Sequence, residues 1–138
     1  MTSPIRTLIL WLFAPRAYIA GPMRGCPGLN WAAFDAEAKR LKTIGYWPIN
    51  PAQMDRRVGL TPEMVTDVVV KKCFLRDLRV LTRRWRRPRA MSMIPRWECS
   101  EGACLEWLVA RALRLDVLND SIGGIKEDQY AITESTPR

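Results

Sequence analysis

The sequence predicts a single three-layer α/β domain, a mostly parallel sheet flanked by helices. Three observations carry that prediction. A short apolar run, Ala17 to Ala20, ends in a glycine loop and feeds an amphipathic helix, and strand-like and helix-like segments then alternate as far as residue 118. The 138 residues, 48% of them apolar, are enough for one core and leave no room for a second domain.

The elements follow in order. Residues 1–16 form an extension whose apolar stretch, Leu8 to Ala14, faintly resembles a signal sequence but stops at Pro15-Arg16. It is expected to pair as an extra strand or to pack at a subunit interface. Ala17-Tyr18-Ile19-Ala20 reads as a buried strand, and Gly21 to Gly28, with three glycines and two prolines, as the loop after it. Asn30 is placed to cap a helix from Trp31, whose apolar positions Trp31, Phe34, Ala38 and Leu41 repeat at helical spacing until Gly45. Tyr46 to Ile49 reads as a second strand; Pro48 removes a ladder donor and so favours the sheet edge, and Asn50-Pro51 ends it. Thr61-Pro62-Glu63 has the cap, proline and acid of a helix start, with the helix running to about Thr82. Gly102 to Leu115 carries a helical stripe at Cys104, Leu108, Ala112 and Leu115, and Asp116 to Leu118 reads as a terminal strand. This alternation is Rossmann-like or flavodoxin-like, an arrangement that binds ligands at the carboxyl ends of its strands. From residue 119 the chain is a polar tail.

Composition narrows the chemistry. With no histidine and no C-x-x-C pair among Cys26, Cys73, Cys99 and Cys104, the usual zinc ligand sets cannot be assembled, and neither metal nor cofactor is expected. Ser-His and Cys-His pairs are excluded as well, which leaves acid–base and nucleophilic work to carboxylates, Tyr, Lys or Cys. No stretch reaches the roughly 20 apolar residues of a membrane span, so a cytoplasmic protein without a membrane partner is expected. The net charge of +8 is local: residues 71–96 hold ten Lys/Arg against the single acid Asp77. Within them, Arg83-Arg84-Trp85-Arg86-Arg87-Pro88-Arg89 reads as a solvated cationic loop, with nonspecific nucleic-acid contact as its functional alternative.

Two constellations are candidates for chemistry. Tyr18 to Gly25 is a strand feeding a glycine loop, in which Gly21, Pro22 and Met23 bring backbone close to a ligand and Arg24 offers a fork for a phosphate. In Cys99 to Glu106, Ser100 and Gly102 open a helix whose free amides suit an anion, and Glu106 follows one turn in. By spacing alone, a solvated surface glutamate is the plainer reading of Glu106.

Taken as an ordered set, Tyr18-Ile19-Ala20-Gly21-Pro22-Met23-x-Gly25, Asn30-x-x-x-Phe34, Asn50-Pro51, Arg76-Asp77-Leu78, Ile94-Pro95-x-Trp97 and Ser100-x-Gly102-x-x-x-Glu106 resemble the nucleoside 2-deoxyribosyltransferase-like superfamily. The likeness is specifically to its phage and bacterial branch opening with YIAGPM, over residues 17–118. The resemblance implies a glutamate nucleophile, matched by Glu106, that forms a covalent sugar–enzyme intermediate resolved by water or another base. It implies a nucleoside or nucleoside 5′-monophosphate substrate, with Ser100 and Arg24 toward the phosphate, Asp77 orienting or protonating the base, and Tyr18 in the site. It also implies a homo-oligomer. Such a reaction needs a carboxylate and help for the departing base, without histidine. The contrasting expectation is a module of the same fold that binds nucleotide or nucleic acid without catalysis.

Overall fold

The computed structural model describes residues 4–119. The chain forms helix α1 (Pro4–Phe13), strand β1 (Arg16–Ala20), helix α2 (Trp31–Thr43), strand β2 (Trp47–Ile49), helix α3 (Pro51–Arg57), helix α4 (Asp67–Thr82), strand β3 (Ala90–Met93), helix α5 (Glu101–Ala112) and strand β4 (Asp116–Leu118). Single 3₁₀ turns lie at Pro27–Asn30, Pro62–Met64 and Trp97–Cys99. The strands make one all-parallel sheet in the order β2-β1-β3-β4. Pro48 stands on the edge strand, as its missing donor requires.

The central strands alternate between two cores. Tyr18, Ala20, Met91 and Met93 face the side covered by α4 and α5, where Leu81, Trp97, Ala103 and Ala110 pack. Ala17, Ile19, Ala90 and Ile94 face Phe34 and Leu41 of α2. Burial on both faces explains why Ala17 to Ala20 of β1 is an unbroken buried run and why β3 is apolar except for Ser92, whose buried hydroxyl donates to Glu37. The architecture is a three-layer, Rossmann-like α/β fold. The carboxyl ends of β1 and β3 form its switch point, since the chain leaves β1 toward α2 on one face and reaches β3 from α4 on the other.

Several local expectations are corrected. Leu8 to Ala14 is neither a strand nor part of one; it lies largely in α1, where Leu-rich sequence favours helix and Pro4 is tolerated in the first turn. Asn30 precedes α2 but does not cap it. It is left-handed (φ 57°), and its Nδ2 instead donates to the Pro22 carbonyl at 2.8 Å, closing the glycine loop on itself. The helix expected from Thr61-Pro62 is only a 3₁₀ turn; extended Val65 interrupts it, and α4 starts at Asp67 under a second cap, Thr66, which accepts from the Val69 amide. The inward face of α5 is Ala103, Glu106 and Ala110, whereas Leu108 and Ala112 of the expected stripe are exposed. Helix α3 is an element the strand-and-loop reading passed over. The polar tail lies outside the described residues beyond Asn119.

Candidate functional site

A cavity of about 450 Å³ opens at the carboxyl ends of β1 and β3, between the glycine loop, α3, α4 and the start of α5. Gly21, Pro22, Met23, Arg24, Asp77, Ser100, Gly102 and Glu106 all line it. Tyr18 stands behind this wall, fully buried, and reaches it through its hydroxyl. Residues up to 88 positions apart in sequence therefore meet in one place.

The glycine loop approaches as closely as its composition allows. A Cβ on Gly21 would lie 2.8 Å from Ile94 Cβ, so a side chain there would push the end of β1 away from β3. Gly28, Leu29 and Asn30 are all left-handed, and this turn presents Leu29 to the cavity. At the mouth, Arg24 forms an ion pair with Asp67 at the start of α4, both side chains being mostly exposed. Ser100 caps α5, its Oγ accepting from the Ala103 amide at 3.3 Å. Gly102 has open space where a Cβ would stand, with only Ser100 Oγ near it at 3.9 Å, so sterics do not require glycine there.

Glu106 occupies the inward face of α5 and is 7% exposed. The Tyr18 hydroxyl donates to Glu106 Oε1 at 2.8 Å, so its partner is a neutral hydroxyl rather than a cation. Burial, reinforced by the charge of Asp77, pushes the Glu106 carboxyl up to about 8; the Tyr18 bond and the Arg76 charge oppose that rise. Burial pushes Asp77 up to about 6, against the pull of Arg76. Tyr18 is raised well above its ordinary range by burial and by the charges of Glu106 and Asp77, and stays a proton donor. The three groups form one titrating cluster, in which burial and mutual charge hold the carboxyls above their ordinary range.

Arg76 anchors the cluster from below. Its Nε donates to Asp77 Oδ1 at 2.9 Å and its Nη1 to Asp55 Oδ1 at 2.7 Å. Burial works against the guanidinium charge, but the two carboxylates outweigh it and hold Arg76 protonated. Asp55, on α3, also lines the cavity, and sequence reasoning did not single it out. The signal was present: Asn50 followed by Pro51, with Gly59 eight residues on, is the start and stop of a short helix. Val65, Val69, Val70 and Phe74 supply an apolar wall from α4 and the turn before it. Cys73 faces the same space as a neutral thiol, raised by burial and by Asp55.

The fold and site define a class: a parallel α/β domain with a carboxylate cluster buried at its switch point. The chain belongs to the family described as "Domain of unknown function (DUF4406)", which matches residues 15–119. That match takes in every residue of the cavity and leaves α1 outside it. No curated protein and no solved structure matches the chain.

Proposed function

We propose that the cavity cleaves the N-glycosidic bond of a nucleoside or nucleoside 5′-monophosphate, with Glu106 as nucleophile. The observation that carries this reading is a glutamate buried in the cavity wall, oriented by Tyr18 at 2.8 Å and set beside a second carboxylate, Asp77. A carboxylate buried with only a neutral partner is unfavourable for stability, and such expense is found where chemistry needs it. The ordered motifs that resemble the nucleoside 2-deoxyribosyltransferase-like superfamily support the same assignment.

In the proposed reaction a Glu106 oxygen attacks the anomeric carbon, the carbon–nitrogen bond breaks, and its electron pair leaves with the base. Asp77, ionised above about 6, faces the base and orients it, and the departing nitrogen takes up its proton from water. Water or an acceptor base then attacks the same carbon and frees Glu106. Attack requires the ionised form of Glu106, and positive charge developing on the sugar favours that form. The apolar wall from Val65 to Phe74 suits a base or sugar face. Arg24, released from Asp67, and the amides at the start of α5 suit a 5′-phosphate.

The test is a panel of nucleosides and 5′-monophosphates assayed for free-base release, with and without an acceptor base. Release without acceptor defines a hydrolase; release only with acceptor defines a transferase. A panel in which every substrate stays intact contradicts the proposal. Nucleotide binding retained in that case would assign the cavity to recognition alone.

A further inference from the structure

A second surface lies at the opposite end of the sheet, where the strands begin. In α1, Ile5, Leu8, Ile9 and Leu12 follow the spacing of one helical face, and that face is 49–68% exposed, with Phe13 beyond it 85% exposed. An amphipathic helix ordinarily turns such a stripe inward. Here the helix touches the domain through Trp11, edge-on to Trp47 at 5.8 Å, and turns the stripe outward. The arginine loop is its neighbour. Arg89 donates its amide to the Arg16 carbonyl at 2.8 Å, three residues after α1 ends, and the Arg86 and Arg83 charges act on the Arg16 guanidinium together with its burial. Arg83, Arg84, Arg86, Arg87 and Arg89 are all exposed, no acid stands among them, and Trp85 between them is 81% exposed.

We infer that this apolar helix and the arginine loop beside it form a docking surface for an anionic lipid membrane. A helix of ten residues is about 15 Å long, too short to span a bilayer and long enough to lie in its interface. Among the described residues no helix is long and apolar enough to cross a membrane. The charge decides between occupants. A lipid interface supplies acyl chains to the aliphatic stripe, an interfacial layer to Trp85 and phosphates to the arginines. Nucleic acid would satisfy the arginines and leave the aliphatic stripe in water. A second copy docked here would bring another uncompensated arginine loop against the first. Docking this way needs no membrane-spanning helix, and it leaves the cavity, at the other end of the strands, open.

The test uses the full chain in sedimentation with vesicles of phosphatidylcholine alone and of phosphatidylcholine with phosphatidylserine. Binding is expected to the anionic vesicles only and to weaken as salt rises. Leu8→Gln with Leu12→Gln, and separately Arg84→Gln with Arg87→Gln, should each lower the affinity about tenfold or more. All four side chains are exposed, so the fold survives in both proteins. No binding to anionic vesicles would overturn the inference. So would helix substitutions that leave vesicle binding unchanged, which would reduce the surface to general polyanion affinity. Self-association abolished by the helix substitutions, with no vesicle binding, would overturn it in favour of an interface between copies.

Discussion

The Glu106 carboxyl, with its proton retained to about 8, makes stability depend on pH at this site. The free-chain value is 4.5, so between 4.5 and about 8 the unfolded chain has released a proton that the folded chain still holds. Stability contributed at this site therefore falls as pH rises through that window. The Glu106→Gln protein has no such proton, and its stability relative to wild type should increase from pH 5 to pH 8 by about 1 kcal/mol or more, measured by urea unfolding at each pH. A constant difference would mean that the carboxyl is solvated. The same reasoning gives a pH profile for the proposed reaction. Base release should climb with pH toward a plateau above about 8, as Glu106 ionises. Tyr18→Phe removes the hydrogen bond that favours the ionised form, so it should move the climb to higher pH and lower the rate at neutral pH about tenfold. An unmoved profile would separate Tyr18 from the titration of Glu106.

Elements decide how the site is held and how much of it is legible in the sequence. Gly21→Ala places a Cβ 2.8 Å from Ile94 Cβ, between the ends of two central strands. Destabilisation of about 1 to 3 kcal/mol is expected from chemical denaturation, because neither strand end yields without disturbing a core. Ser100→Ala removes the α5 cap and should cost about 1 kcal/mol, so any specific loss of 5′-phosphate substrates has to be read at equal folded fraction. The strand β1 was readable because burial on both faces makes Ala17 to Ala20 a plain apolar run, and α2 because Phe34 and Leu41 alternate with polar positions; β3 was harder to read, since it follows an arginine run and carries the buried Ser92. The inward face of α5 was not readable as a stripe: its central residue is Glu106, and a buried carboxyl makes that face look polar. Helix α3 hid because seven residues hold too few apolar positions to show a period, and Asp55 was lost with it. The order of motifs singled out Glu106, Asp77 and Tyr18, which the fold brings together at the cavity, where periodicity did not, and the partnership of Arg76 with Asp55 needed coordinates.

At the scale of the molecule the two ends of the sheet separate: a cavity at the carboxyl ends of the strands, and an apolar and cationic surface at their amino ends. Helix α1 lies outside the family match and contributes no lining to the cavity. A protein starting at residue 14 should therefore keep its unfolding free energy within about 1 kcal/mol, since Ile5, Leu8, Ile9, Leu12 and Phe13 are exposed and Trp11 meets the domain edge-on at Trp47. It should also keep whatever base release the full chain shows. A collapse of stability would show that α1 completes the fold instead of decorating it. The enzyme reading of the whole molecule rests on Glu106, and single-turnover base release by wild type and Glu106→Gln, with the best substrate of the panel, tests it most directly. The substitution keeps shape and removes the nucleophile, so release should fall by at least about a thousandfold while substrate binding persists through the cavity's other groups. Equal rates in the two proteins would contradict the assignment of Glu106 as nucleophile.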